Sequence, residues 1–431
     1  MNLSSTAQAT LLLTSYFSKA SDEAAKPLTN TEWGRFALWL KERSLTPADL
    51  LVSHPAPLIN DWHDKKVTTE RVLQLLGRGH SLALAVEKWQ RAGLWVVTRS
   101  DTDYPKRLKA RLKTDSPPVL FGCGDKSLLN AGGLAVIGSR NANHQDLAFT
   151  EKTGAQAASE NIAIVSGGAR GVDETAMLGA INSGGIVIGV IADSLLKAAT
   201  SSKWRNGLMH GQAVLVSPFY PEAGFSAGNA MARNKYIYCL ADNALVIHSG
   251  KKGGTLSGAE ENLKKGWVPL WVKPTDDKTA ANADLVAKGG RWCESDIGAF
   301  SIASLLKADS PVQQKIEQEQ PDIFSQGSKP QAELFSSNSD DGEETPRAAA
   351  VRKPEPEKLD MPDEAPVNFY RLFLQEIGRL ADEPVTTDVL IEKTGLQKSQ
   401  VSTWLKQALD EGCVKKLTHP VRYQHMNNEQ D

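Results

Sequence analysis

The chain has 431 residues, of which 41% are hydrophobic and 23% are charged, and its formal net charge is −2. This length exceeds what one hydrophobic core can organise, so two or three domains are expected. The near-zero charge excludes a protein that coats nucleic acid with its whole surface, and any nucleic-acid site must be a local cationic patch.

Cysteine usage and hydropathy exclude several other classes. The four cysteines are far apart in the sequence and form no Cys-x-x-Cys pair. This spacing predicts neither a disulfide framework nor a metal site, and it favours a cytoplasmic location. The apolar run Leu11–Leu13 is too short for a membrane span and lacks the basic flank of a signal peptide. We therefore expect no metal, no cofactor and no membrane contact.

The first 95 residues predict a small helical region. Apolar side chains recur at helical spacing, for example at Trp33, Phe36 and Leu40. The turn Gly77-Arg78-Gly79 between two helical stretches has two interpretations. It is either a helix C-cap, which is the commoner case, or a backbone contact to phosphate of the helix-hairpin-helix type.

Residues 131 to about 273 repeat a pattern of strand, glycine turn and helix. Apolar runs occur at 134–137, 162–165, 186–191, 213–216, 244–247 and 267–272. Such runs separated by helices predict a parallel sheet that is covered on both faces. In sheets of this kind ligands bind beyond the carboxyl ends of the strands.

Three loops at that end combine glycine with a cation. The first is Gly138-Ser139-Arg140, the second is Gly167-Gly168-Ala169-Arg170-Gly171, and the third is Gly250-Lys251-Lys252-Gly253-Gly254-Thr255. Glycine allows close approach and positive φ, the following helix offers unpaired N–H groups, and Arg or Lys adds charge. These three features together favour the binding of phosphate groups. Three such loops on one sheet edge predict a polyphosphate ligand such as a nucleic acid strand.

A fourth segment, Arg233-Asn234-Lys235, is expected to join this edge. A single surface arginine is usually only solvated, but several at equivalent loop ends favour a phosphate site. The best candidates for phosphate contact are Arg140, Arg170, Arg233 and Lys235, with Lys251 and Lys252 as weaker ones.

Two neighbouring residues have other expected roles. Phe225 either stacks on a base, as aromatic residues do in single-strand binders, or plugs the core. Asp173 is expected to brace a loop by accepting backbone N–H bonds rather than to act as a catalyst.

The segment 310–364 is predicted to be a disordered tether, because its Gln, Glu, Ser, Asp and Pro residues provide too little apolar surface to fold. It contains two copies of a Gln-x-acid-aliphatic-Phe pattern that resembles the peptides that dock in the bacterial sliding clamp. Chance or weak self-docking is the alternative. The anchor residues of the two copies are Gln320, Ile323, Phe324, Gln331, Leu334 and Phe335.

Residues 365–425 predict a helix-turn-helix with a winged end. Thr386-Thr387 caps a first helix, Ser399 to Leu409 forms a second, and Cys413 to Leu417 begins the wing. The second helix carries few cations, so DNA binding and docking to protein both remain open.

Several of these motifs together resemble one known family. They are Pro117–Phe121, Ala135–Arg140, Ile164–Asp173, Arg233–Lys235 and Ser249–Leu256. Over residues 96 to 272 the chain resembles the DNA-processing protein A (DprA, or Smf) family. The segment Ser217 to Met231 is longer than is usual there, and Lys251-Lys252 is inserted in the last turn.

The resemblance implies an α/β fold, namely an extended Rossmann-like parallel sheet with a helical N-terminal region and a C-terminal winged-helix module. The expected division is 1–95, 96–309, 310–364 and 365–425. It further implies a homodimer that binds single-stranded DNA and hands the strand to the recombinase RecA in recombination or transformation.

Two alternatives belong to different classes of protein. The first is a nucleoside-monophosphate phosphoribohydrolase, but Gly258 stands where that fold has its carboxylate, and the nearest acids are Glu260 and Glu261. Without that carboxylate no group stabilises charge at a ribose carbon, so we expect no catalysis. The second is a regulator or antitoxin of the same family that holds a toxin partner in phage defence.

Overall fold

A nine-stranded sheet organises the larger part of the structure, which is a computed structural model that describes residues 3–18, 25–294, 301–307, 369–394, 398–418 and 421–426. The predicted tether and its two clamp-like peptides lie outside these residues. The chain divides into two compact units, residues 1–332 and 333–431.

The sheet is parallel except at one edge. Its strands are β1 (Trp95–Thr98), β2 (Val119–Gly124), β3 (Leu134–Ile137), β4 (Ile164–Ser166), β5 (Val187–Val190), β6 (Ala213–Ser217), β7 (Asn243–Val246), β8 (Leu270–Val272) and β9 (Arg291–Trp292). Their order is β1-β2-β6-β5-β4-β3-β7-β8-β9, and only the pairings of β1 with β2 and of β2 with β6 are antiparallel. The predicted α/β class is confirmed, and each of the six apolar runs overlaps one strand from β3 to β8.

Helices cover both faces of the sheet. They are α5 (Lys106–Leu112), α6 (His144–Ser159), α7 (Val172–Asn182), α8 (Leu195–Ala199), α9 (Ser202–Met209), α10 (Ala227–Leu240), α11 (Gly254–Lys265), α12 (Asn282–Ala287) and α13 (Ile302–Lys307). Side-chain caps start several of them: Asn143 accepts from the N–H of Asp146, and Ser194 accepts from that of Lys197. Strands β3 to β7 are buried along their whole length, as expected for a sheet covered on both faces.

The N-terminal region is helical, with α1 (Ser5–Thr14), α2 (Asn30–Glu42), α3 (Thr69–Leu76) and α4 (Gly79–Arg91). It has a small core of its own, but α1 and α4 also pack on the sheet. The ring of Trp89 in α4 meets that of Phe121 in β2 edge-on, with 5.0 Å between the centroids. This region therefore shares part of its core with the sheet.

The turn Gly77-Arg78-Gly79 joins α3 to α4, and its arginine is used internally. The guanidinium of Arg78 donates to the carbonyl oxygens of Leu12 and Ser15 at the end of α1. These carbonyls have no partner within the helix, so the cation closes the helix end. This use of Arg78 favours the structural interpretation of the turn over phosphate contact.

The C-terminal unit contains α14 (Phe369–Leu380), α15 (Thr387–Thr394) and α16 (Lys398–Asp410), followed by β10 (Val414–Leu417) and β11 (Arg422–His425). The two strands pair antiparallel. Phe373, Leu390 and Leu405 are among the buried residues of its core. This order of elements fits a winged helix, and the boundaries near residues 95, 309 and 364 remain predictions.

Candidate nucleic-acid interface

The loops after β3 and β4 touch each other at the carboxyl edge of the sheet. Gly171 has a φ of 92°, and a Cβ atom there would lie 2.6 Å from the carbonyl oxygen of Ser139. Only glycine allows both this conformation and this approach. As a result Arg140 and Arg170 stand on the same edge, and both side chains are exposed.

The third loop, after β7, is tied to the first. The backbone N–H of Ser139 donates to the carbonyl of His248 over 2.9 Å, and the hydroxyl of Thr255 donates to the carbonyl of Gly138 over 3.2 Å. Because β3 lies between β4 and β7, the three predicted loops form one continuous edge.

A cleft of about 440 Å³ opens beside the first two loops. Arg140 and Arg170 lie on its rim, with Gly167 and Gly168 beneath them. The indole of Trp204 forms part of the wall and is almost fully buried. The cleft therefore combines exposed positive charge with an aromatic residue in its wall.

Phe225 lies on the same rim, and 62% of this residue is exposed. The guanidinium carbon of Arg140 lies 5.0 Å from the centroid of its ring, which is a cation–π contact. Of the two roles left open for Phe225, the exposed ring excludes the core plug. An exposed aromatic face beside a cation is suited to stacking on a base.

Arg233 forms the floor of the cleft rather than part of its rim. Only 4% of the residue is exposed, Nη1 donates to the carbonyl of Val190 over 2.8 Å, and Nη2 lies 3.8 Å from Oδ2 of Asp173. The side chain passes so close to Gly167 that a Cβ there would lie 1.4 Å from Nη1. Burial lowers the pKa of Arg233, and the Asp173 carboxylate opposes this effect.

Asp173 braces the first two loops, as the sequence predicts. Its buried carboxylate lies near the backbone N–H groups of Gly138 and Gly167 and faces Arg233. Burial raises its pKa, while the arginine and the two N–H groups act in the opposite direction. The structure thus corrects the prediction for Arg233: its charge is matched by an internal carboxylate, and it shapes the cleft from below.

The remaining predicted residues lie outside the cleft lining. Asn234 is nearly buried and donates to the carbonyl of Gly254 over 2.9 Å, so it braces the third loop. The ammonium of Lys235 lies 5.1 Å from the ring centroid of Tyr236. Lys251 and Lys252 are exposed on the third loop. Further along the chain, Gln320, Ile323, Phe324, Gln331, Leu334 and Phe335 fall outside the described residues.

The side of the cleft that follows β5 was not predicted from the sequence. Asp193, Lys197, Lys203 and Trp204 line it, and Lys203 pairs with Glu174 over 2.8 Å. The strand β5 ends without a glycine–cation loop, so the pattern used for the other loops could not find this segment. The adjacent Lys203-Trp204 pair, downstream of a strand that ends at the same edge, was the available indication.

No group of three or more His, Cys, Asp or Glu side chains among the described residues could hold a metal ion. Among the helices that the structure describes, none is long and apolar enough to cross a membrane.

Comparisons with known proteins agree on the region that forms the sheet. Residues 95–300 match the family model described as DNA recombination-mediator protein A. The DNA processing protein DprA of Bacillus subtilis is 27% identical over 215 residues, which are 48% of this chain and 72% of that protein. The protein Smf of Escherichia coli is 30% identical over 165 residues, which are 38% of this chain and 44% of that protein.

A solved structure of DprA from Streptococcus pneumoniae is also similar. It covers 62% of this chain and 95% of its own chain at 21% identity, with a TM-score of 0.45.

Proposed function

Because its core belongs to the DNA-processing protein A (DprA/Smf) family, we propose that this chain binds single-stranded DNA in the cleft beyond β3, β4 and β5. The observation that carries the proposal is the joint exposure of Arg140, Arg170 and Phe225 around one cleft. The two arginines offer charge to phosphates, and the ring offers a face to a base.

Phosphate recognition follows from the rim. Arginine presents several N–H donors and a charge that does not titrate near neutral pH, and the glycine loops let the strand approach the backbone closely. Binding should weaken as salt is added, because each neutralised phosphate releases counterions. The overall charge of −2 makes this a local effect of the cleft rather than of the whole surface.

The preference for a single strand follows from Phe225. In a duplex both faces of each base are stacked on neighbours, so a protein ring finds no free face. An unpaired base can leave the stack and lie against the ring. The cleft beside the ring has a volume of about 440 Å³ and the apolar wall formed by Trp204. We therefore expect phosphates on the rim and an unpaired base at or in the cleft.

We further propose that the site is not catalytic. Asp193 is the exposed carboxylate in the cleft lining, whereas Asp173 is buried against Arg233. Glu260 pairs with Lys288 and does not line the cleft. Turnover of a nucleoside monophosphate by the pure protein, abolished by Asp193→Asn, Glu260→Ala or Glu261→Ala, would contradict this proposal.

A competition experiment tests the proposed ligand. Fluorescence anisotropy with a labelled oligonucleotide should give tighter binding to a single strand than to the matching duplex, and free mononucleotides should compete poorly. Phe225→Ala should weaken binding of the single strand but not of the duplex. Equal affinity for both ligands in the wild type and the variant would overturn the assignment.

Three further proposals concern the protein partners of the chain. We propose that the chain dimerises and hands its strand to RecA, on the basis of the family resemblance. The sliding clamp is proposed for the peptides ending at Phe324 and Phe335; unchanged affinity of the full chain for purified clamp after both phenylalanines are replaced by Ala would remove it. The alternative of a toxin partner predicts growth arrest when this gene alone is deleted and a toxin gene beside it.

A further inference from the structure

A second groove adjoins the cleft. It lies between α4 of the N-terminal region and α8 of the core and has a volume of about 650 Å³. Lys197 on α8 lines both the cleft and this groove, so the two are neighbours across one side chain. Leu84, Glu87, Lys88 and Arg91 line the α4 side.

The two walls of the groove are held to a common segment. The ammonium of Lys88 pairs with Oε2 of Glu222 over 2.5 Å on the α4 side. On the α8 side the backbone N–H of Leu196 donates to the carbonyl of Pro221, the residue before Glu222, over 3.0 Å. The position of α4 beside the cleft is therefore fixed by specific contacts.

The chemistry of the groove suits an unpaired strand. Leu84 is 56% exposed and Leu196 lies opposite it, so the groove offers an apolar surface to bases and sugars. Lys88, Arg91 and Lys197 lie around that surface with largely exposed side chains.

Acidic neighbours do not remove these cations from use. Arg91 pairs with Glu87 on its own helix, and Lys88 pairs with Glu222. Exposed ion pairs contribute only about 0 to 1 kcal/mol, so a phosphate can replace the carboxylate at little cost. Lys197 forms no ion pair with the residues that the structure describes, and it stands at the junction of the cleft and the groove.

The order of the strands in the sheet suggests a path for the bound DNA. Neighbouring strands are about 4.8 Å apart, and the order β7-β3-β4-β5 places the third loop, Arg140, Arg170 and then Lys197 in succession along the edge. Lys197 also lines the groove between α4 and α8, so this groove adjoins the Lys197 end of the row. We propose that single-stranded DNA leaves the cleft over Lys197 and enters the groove, so that α4 is a second DNA-binding element.

This inference rests on the proposed function, so its test uses oligonucleotides of two lengths. One has about six nucleotides, which is enough for the cleft alone, and the other has about twenty. A single-strand-binding domain of the OB-fold class covers about 4 to 16 nucleotides, so the long oligonucleotide extends beyond one such site. The full-length double variant Leu84→Glu/Arg91→Ala alters the groove. Leu38→Glu is the control for the added carboxylate, because Leu38 is a similarly exposed leucine on α2 that does not line the groove.

The double variant should bind the long oligonucleotide about tenfold more weakly, which corresponds to one lost stacking or phosphate contact. Its affinity for the short oligonucleotide should match that of the wild type, and Leu38→Glu should change neither. Photocrosslinking from a diazirine-modified nucleotide, which reacts with side chains of any type, should label α4 from one end of the long strand only.

Three results contradict the proposals in distinguishable ways. If the double variant binds the long strand as well as the wild type does, or if no strand position crosslinks to α4, the groove is not part of the interface and the cleft assignment stands. If the double variant loses both lengths equally while Leu38→Glu does not, the groove acts through the cleft and the path is overturned. If the short strand binds with no dependence on Arg140, the proposed function itself fails, and the path with it.

Discussion

The rim and the floor of the cleft both carry arginine, but in opposite environments. Arg140 and Arg170 are exposed on glycine loops, whereas Arg233 is 4% exposed and faces the buried carboxylate of Asp173. A charge on the rim can contact a ligand and is screened by salt. A charge in the floor holds β5 and the two loops in place. Replacing an arginine of the rim should therefore lower the affinity for DNA, whereas replacing the arginine of the floor should lower the stability of the fold.

The largest expected effect is on stability, from Arg233→Met. This change leaves Asp173 buried without its partner, and removing one member of a buried pair costs about 3 to 5 kcal/mol. Urea unfolding should report this loss in the free energy of unfolding. Replacing Asp173 by Leu in the same chain should recover part of it, because the uncompensated charge is then gone.

Arg170→Met is the matched control, since Arg170 is exposed and should change stability by less than about 0.5 kcal/mol. If Arg233→Met kept its stability but lost affinity for DNA, Arg233 would be a direct phosphate ligand, and the distinction between rim and floor would fail.

The next effect is on affinity, from Arg140→Ala/Arg170→Ala. Each arginine should contribute about 1 to 2 kcal/mol through charge-assisted contacts to phosphate, so the pair should lower the affinity by roughly 30- to 1,000-fold. The free energy of unfolding should stay near that of the wild type. Anisotropy titrations and urea unfolding on the same samples measure both quantities. A double variant that unfolds early while the remaining folded protein binds normally would reverse the comparison.

A smaller effect is expected from Phe225→Ala. Loss of one stacked base should cost about 1 to 3 kcal/mol of binding free energy. The salt dependence should not change, because the ring carries no charge, and Phe225→Tyr should restore the affinity. A changed salt slope would mean that the ring acts by holding Arg140, whose guanidinium carbon lies 5.0 Å from its centroid.

The smallest effect is expected from Lys251→Ala/Lys252→Ala. These lysines are exposed on the third loop and do not line the cleft, so the pair should contribute less than about 1 kcal/mol to binding. Lys264→Ala/Lys265→Ala, at the opposite end of α11, is the control. A loss as large as that of the rim arginines would move the centre of the interface to the third loop.

Much of the fold could be predicted because its determinants are local in the sequence. The runs that became β3 to β8 are near-continuous apolar stretches separated by helix-compatible segments, so the sequence pattern alone located them. The antiparallel edge formed by β1 and β2 was harder to predict, because a short apolar run does not indicate whether the adjacent strand is parallel or antiparallel. Pairing direction depends on the path of the chain between strands.

The site could be predicted only in part, for a physical reason that Gly167 illustrates. Its missing Cβ leaves the space through which Arg233 reaches Val190 and Asp173, which precede it in the sequence by 43 and 60 residues. A sequence shows a glycine and an arginine but not that one makes room for the other. Lys197 and Lys203 were not predicted for a related reason. They lie on helices that fold against the cleft, and no glycine–cation loop marks them in the sequence.

The salt dependence of single-strand binding tests the central claim most directly. For single strands the logarithm of the binding constant falls with the logarithm of salt by about 0.7 per neutralised phosphate. If Arg140 and Arg170 each hold one phosphate, the slope for Arg140→Ala/Arg170→Ala should be shallower than that of the wild type by about 1.4. An unchanged slope, or a wild-type protein that binds no single strand, would contradict the account.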